Sequence, residues 1–86
     1  MSHLKEFYGE ECPHCEDMQI LTKKLEKEKG VKIDRLEIWH NKENLKQLEE
    51  LDKGFCGGVP FLINTKTGKW ICGEAPYEEI KDWAKK

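Results

Sequence analysis

The sequence predicts an α/β fold: a four-stranded mixed sheet with helices on both faces, in the order β-α-β-α-β-β-α. Three observations predict it. Short β-branched and aromatic runs alternate with stretches whose apolar residues recur every three or four positions. The first two runs are separated by a long helical stretch, so their strands should be parallel through a right-handed crossover. The last two runs are separated only by the turn "NTKTGK", which makes them an antiparallel hairpin.

The elements follow in order. Residues 3–8, "HLKEFY", read as a strand, and Gly9 to Glu11 as a turn. From Pro13 to Lys29 the pattern is helical, with Met18, Leu21 and Leu25 in one stripe and Ile20 beside it. Pro13 suits a first helical turn, because its missing N–H is no loss there. Gly30 is a C-terminal stop. Glu16 and Asp17 fall in the first turn, and Lys23, Lys24, Lys27 and Lys29 towards the end, as the helix dipole prefers. "VKIDRLEIW", residues 31–39, is a second strand with a shift in its alternation. Asn41 is a good N-cap for a helix over 42–52 that aligns Leu45, Leu48 and Leu51. "GFCGG" breaks that helix. "VPFLIN" (59–64) and "WIC" (70–72) are the third and fourth strands. A last helix over 75–86 has Pro76 in its first turn and turns Tyr77, Ile80, Trp83 and Ala84 inward. The tryptophans Trp39, Trp70 and Trp83 read as packing residues.

At 86 residues the chain has room for one small domain over 1–86, with modest burial. Charged and apolar residues each make up 37 %, which is polar, but the regular apolar spacing argues against disorder. The formal charge is −2, and Arg35 is the single arginine. Neither gives a reason to bind nucleic acid or an anionic membrane. No run approaches the ~18 apolar residues of a membrane span, and "MSHLKEFYGE" does not read as a signal peptide. The expectation is a cytoplasmic monomer. In a reducing compartment, cysteines are more often catalytic or metal-binding than structural.

The stretch "ECPHCE", residues 11–16, holds the chemistry. Cys12 follows a strand and a turn and sits at the N-cap of the first helix. A thiolate there meets free backbone N–H groups and the positive end of the dipole, and the thiolate is the reactive form. Cys15 lies one turn on and can close a small disulfide ring with Cys12. That is an attacking thiol with a resolving thiol beside it, and CxxC beside a βαβ pattern is a redox signal. His14 can tune Cys12 by charge or hydrogen bond, while Glu10, Glu11, Glu16 and Asp17 oppose a thiolate. CxxC is also half of a zinc site. Cys56 and Cys72 stand 16 apart, with no partner at short spacing, so a zinc or iron–sulfur module using Cys12 and Cys15 is the alternative rather than the preferred reading. A purely structural Cys12–Cys15 bridge closes too small a loop to stabilise much.

On "FYGEECPHC", "GGVPFLIN" and "GEAPYEEIKDW", nearly the whole chain resembles the thioredoxin-fold proteins, most of all the small glutaredoxin-like and thioredoxin-like ones. The resemblance implies a thiol–disulfide oxidoreductase that needs no bound cofactor and no metal. It implies that Pro60 is a cis-proline facing the active-site pair, and that Val59 offers its main chain to an extended substrate. The Cys-Pro-His-Cys tetrapeptide is similar to that of the bacterial periplasmic disulfide oxidases, which are larger and carry an inserted helical domain.

The departures bear on the partner. Glutaredoxins usually carry a lysine three residues before the first cysteine, for a glutathione carboxylate. Here Gly9 stands there, followed by Glu10 and Glu11. After the fourth strand they tend to carry Gly-Gly and an aspartate. Here the run is Cys72-Gly73-Glu74-Ala75-Pro76. The expected partners are therefore a protein disulfide and a reductase or other dithiol, ahead of glutathione. Cys72 reads as a small apolar strand residue. Cys56, four residues before Pro60, reads as an additional thiol, a modification site or a metal ligand. A Cys56–Cys72 disulfide is a further possibility, with nothing in the spacing to support it.

Overall fold

A computed structural model of the chain describes residues 3–54 and 56–85. Its elements run β1 (Leu4–Tyr8), α1 (Pro13–Lys29), β2 (Asp34–Glu37), α2 (Lys42–Asp52), β3 (Phe61–Asn64), β4 (Trp70–Cys72) and α3 (Tyr77–Ala84). The strands form one sheet in the order β2-β1-β3-β4. β1 pairs parallel with β2, while β1–β3 and β3–β4 are antiparallel. Both the element order and the mixed sheet are as the sequence predicts.

Side chains alternate across a strand, so each strand feeds both faces. On one face Leu4 and Leu62 pack with Met18 and Leu25 of α1 and with Ile80 and Trp83 of α3. On the other, Phe7, Phe61 and Ile63 pack with Ile38 and with Leu48 of α2. Glu6 has the parity of Leu4 and is therefore carried into the α1 face, where it is fully buried.

The differences from expectation lie at element ends and have local causes. β2 is shorter than 31–39 because side chains take the flanking N–H groups. Ile33 N–H donates to Glu26 Oε2 at 2.9 Å, and the N–H groups of Trp39 and His40 donate to the Glu37 carboxylate at 3.0 and 2.8 Å. β3 starts at Phe61, not Val59, since Pro60 has no N–H for a ladder. Pro76 is the N-cap of α3 rather than part of its first turn. That helix ends at Ala84, where buried Asn64 donates from Nδ2 to the carbonyls of Trp83 and Lys85 at 3.0 and 3.3 Å. Lys86, the end of the expected last helix, lies outside the described residues. The caps at Asn41 and Gly30 stand where the sequence puts them: Asn41 Oδ1 accepts from Asn44 N–H at 3.1 Å, and Gly30 is left-handed at φ 66°. Trp83 is buried in the core; Trp39 and Trp70 are 51 % and 43 % exposed but still pack, Trp39 over Gly9 and Trp70 against Phe61 with ring centroids 6.2 Å apart. Among the described residues no helix is long and apolar enough to cross a membrane.

Candidate functional site

The parallel β1 strand delivers the chain to the amino end of α1, through a turn closed by the Cys12 N–H donating to Gly9 O at 3.0 Å. Cys12 is the N-cap, in extended conformation, with Pro13 at the first helical position. The Cys15 N–H donates to Cys12 Sγ at 3.2 Å. The sulfur thus fills the place of a capping oxygen and uses one of the N–H groups that a helix start leaves without a partner. Cys12 is 5 % exposed and Cys15 1 %, and both are free thiols.

The two sulfurs are not equivalent. Burial pushes the Cys15 thiol up to about 12, and Cys12 beside it and the Glu6 carboxylate add to the rise. Cys15 therefore holds its proton until something removes it. Glu6 is the site residue that the sequence reading missed. Burial raises its own pKa as well, opposed by Thr22 Oγ1–H, which donates at 2.8 Å, and by Arg35, whose Nε is 3.1 Å from Glu6 Oε1. Arg35 is shared with Glu26, through Nη2 at 2.8 Å. Nothing in "HLKEFY" marks Glu6 as buried except its parity with Leu4. Its cation comes from β2, one strand away.

His14 is exposed on the first turn of α1. It reaches Glu74, with Nδ1 2.5 Å from Oε1, where the sequence reading directed it to Cys12. His14 and Glu74 line a shallow groove of about 370 Å³ with Val59, Pro60 and Gly73. The Val59–Pro60 peptide bond is cis, and the Pro60 carbonyl accepts the Gly73 N–H at 2.8 Å. Pro60 itself is buried. Four of the residues singled out from sequence are thus placed at one end of the sheet: Cys12 and Cys15 on the helix start, Val59 and Pro60 on the facing loop.

The opposite flank of the turn between Gly9 and Cys12 is also structured. His40 Nε2 lies 2.7 Å from Glu11 Oε1 and 3.8 Å from Glu10 Oε2, and Glu11 raises the pKa of His40. Partial burial works against the ionised form of Glu37. Three main-chain N–H donors, on His40, Glu10 and Trp39, outweigh it and hold Glu37 below the ordinary carboxylate range. The Trp39 indole covers Gly9. The space a side chain at position 9 would take is thus filled by the ring of Trp39, two residues beyond β2.

Cys56 is not an additional free thiol. It is disulfide-bonded to Cys72, with Cα atoms 5.4 Å apart. Cys72 does lie on β4, but it is exposed and bonded to Cys56 rather than a small apolar packing residue. The strand register explains the pairing: Cys72 stands opposite Phe61, which brings it back beside the loop that precedes β3. Two clusters of metal-ligand type occur among the described residues: Glu10, Glu11 and His40, and His14, Asp17 and Glu74. Both are exposed, and neither includes a cysteine.

No family model matches the chain, and no curated protein does. Solved structures do. A crystal structure of a glutaredoxin from Archaeoglobus fulgidus superposes with a TM-score of 0.71 at 21 % identity, over 96 % of this chain and 86 % of that one. A mutant thioredoxin-like protein gives 0.66 at 14 % identity, over 96 % and 95 %. At such identities it is the architecture that is shared, and that architecture matches the sheet order and helix placement described above. The chain has the thioredoxin-like fold.

Proposed function

We infer that the chain is a thiol–disulfide oxidoreductase acting through Cys12 and Cys15. One observation supports this above the others: Cys12 Sγ caps α1 and accepts the Cys15 N–H, with a second free thiol one turn inward. In the proposed cycle the Cys12 thiolate attacks one sulfur of a substrate disulfide. The Cys12–substrate bond forms, the substrate S–S bond breaks, and the leaving thiolate takes a proton. Cys15 then gives up its proton and attacks Cys12 Sγ. The Cys12–Cys15 disulfide forms and the second substrate thiol leaves. Two electrons pass to the substrate, and an external dithiol or reductase restores the pair. Glu6, buried under α1 and acting electrostatically on Cys15, is the carboxylate placed to influence that second deprotonation.

The preferred substrate is a protein disulfide. The groove of Val59, Pro60, Gly73 and Glu74 can accept an extended segment, and the main chain of Val59 is the proposed pairing site. Exposed Glu10 and Glu74, and Gly9 under Trp39, offer no cation to a glutathione carboxylate. The metal-module alternative is less well supported, because the ligand clusters of the described residues leave Cys12 and Cys15 out. The test is reduction of an insulin-type disulfide and of a glutathione mixed disulfide, by the parent and by Cys12→Ser. The parent should reduce the first faster, and Cys12→Ser neither above background. A Cys12→Ser protein as active as the parent would end this reading.

A further inference from the structure

Cys56 and Cys72 lie outside the Cys12–Cys15 dithiol. We propose that they form a second thiol–disulfide exchange centre, opened and closed by small thiols and disulfides in the folded protein, with Cys72 as the attacked sulfur. This goes beyond the reading of Cys12 and Cys15 and does not depend on it.

Access comes first. Cys72 is exposed and ends β4, which is an edge strand of the sheet. An incoming thiolate can approach it from solvent, whereas Cys56 is half-buried in its loop. Exposure of this kind separates disulfides that exchange from those that only brace a core.

Both cysteines are also held in place without the bond between them. On the Cys56 side, buried Asp52 accepts from the N–H of Cys56 at 2.6 Å and of Gly57 at 2.8 Å. On the Cys72 side, the β3–β4 ladder pairs Cys72 with Phe61, and the next residue, Gly73, donates to Pro60 O. Opening the disulfide leaves these anchors intact.

The reduced state has its partner ready. Cys56 Sγ lies 3.5 Å from Gly58 O. A disulfide sulfur carries no proton, so this contact is idle while the bond is closed. A Cys56 thiol has an S–H to donate, and its acceptor is already at hydrogen-bonding distance for sulfur.

The chemistry balances with two equivalents of a thiol. One thiolate attacks Cys72 Sγ, the Cys56–Cys72 bond breaks, and Cys56 leaves as thiolate, takes a proton and turns it towards Gly58 O. A second thiolate attacks the small thiol's sulfur of the mixed disulfide held on Cys72, and the bond to Cys72 Sγ breaks. Cys72 leaves as a thiol, and the two small thiols end as their disulfide. Two electrons have entered the pair, and the reverse sequence closes it.

The test uses the full chain in native buffer, equilibrated across graded ratios of reduced to oxidised glutathione. The samples are quenched in acid, free thiols are labelled, and each cysteine is read by peptide mass spectrometry. Far-ultraviolet circular dichroism is recorded on parallel samples. The expected result is that Cys56 and Cys72 go together from nearly all closed to nearly all open within that range, with the dichroism unchanged. Two results overturn the proposal: the pair stays closed across the whole range, or it opens only as the dichroism is lost. Peptides bearing Cys12 and Cys15 are read separately in the same samples, so failure of one centre is distinguishable from failure of the other.

Discussion

The Trp39 indole lies across Gly9 so closely that a Cβ on Gly9 would sit 2.3 Å from Trp39 Cδ2. No real contact is that short, so any side chain at position 9 must displace the ring. Gly9 O also closes the turn before α1 by accepting the Cys12 N–H. The ring is half-exposed and can yield, so the cost should fall at the lower end of the ~1–3 kcal/mol typical of overpacking. Gly9→Ala should lower stability by about 1–2 kcal/mol in urea unfolding. Trp39→Ala in the same chain should recover much of that loss, a coupling that a double-mutant cycle measures.

Glu6 and Cys15 form a second pair. Removing the Glu6 charge should lower the Cys15 thiol pKa from about 12, while leaving it above an ordinary thiol because burial is the largest cause. The pH dependence of Cys15 alkylation in Glu6→Gln, compared with the parent, reads this. An unchanged or higher midpoint would show that the Glu6 charge does not reach Cys15.

The Glu6 charge also bears on stability. Its folded pKa is raised, so below the unfolded value near 4.3 both states are protonated and the carboxyl imposes no penalty. As pH rises through the folded value, the buried acid must ionise and stability falls. Glu6→Gln should therefore flatten the decline of stability between mildly acid and neutral pH, as followed by denaturant midpoints. The loss of its contacts with Arg35 and Thr22 should appear instead as a pH-independent offset.

His40 and Glu11 provide a titration beside the site. The folded pKa of His40 is raised, so the pair's contribution is complete below about 6.5 and is lost as pH rises through the folded value. Proton NMR of the His40 ring should give a midpoint above that of an ordinary histidine. Glu11→Gln should bring it back down, since Glu11 is the main cause of the rise.

Asp52 anchors the loop that leads to Val59 and Pro60, through its two main-chain hydrogen bonds. Asp52→Ala removes the acceptor from both N–H groups. Hydrogen bonds to a charged group are worth about 1.5–3 kcal/mol each at most, and the two share one carboxylate. A loss of about 2–3 kcal/mol is expected, with faster amide exchange at Cys56 and Gly57.

Much of this was legible in the sequence, for reasons tied to local chemistry. The Met18 and Leu25 spacing, the Asn41 and Gly30 caps and the hairpin turn each act within a few residues, so their signals survive in one dimension. Cys12 and Cys15 were legible for the same reason, since a helix N-cap and its next turn are adjacent in the chain. Glu6, Trp39 and the Cys56–Cys72 bond were not. Glu6 looks like a solvent-facing strand residue until Arg35 from the neighbouring strand is set against it. Trp39 reads as the end of an apolar strand until Glu37 captures its N–H and turns the chain across Gly9. Cys56 and Cys72 meet only through the β3–β4 register. The helical turn that carries His14 is legible locally, but its partner, Glu74, lies 60 residues away.

In the proposed cycle Cys12 attacks and Cys15 resolves. Cys15→Ser keeps the attacking sulfur and removes the resolving one. Mixed with a folded protein carrying an accessible disulfide, it should accumulate a covalent complex joined at Cys12, visible by intact mass and released by a reductant. Cys12→Ser should form none. Equal complex formation by both variants, or a complex of the Cys12→Ser protein joined at Cys15, would show that Cys12 is not the attacking thiol.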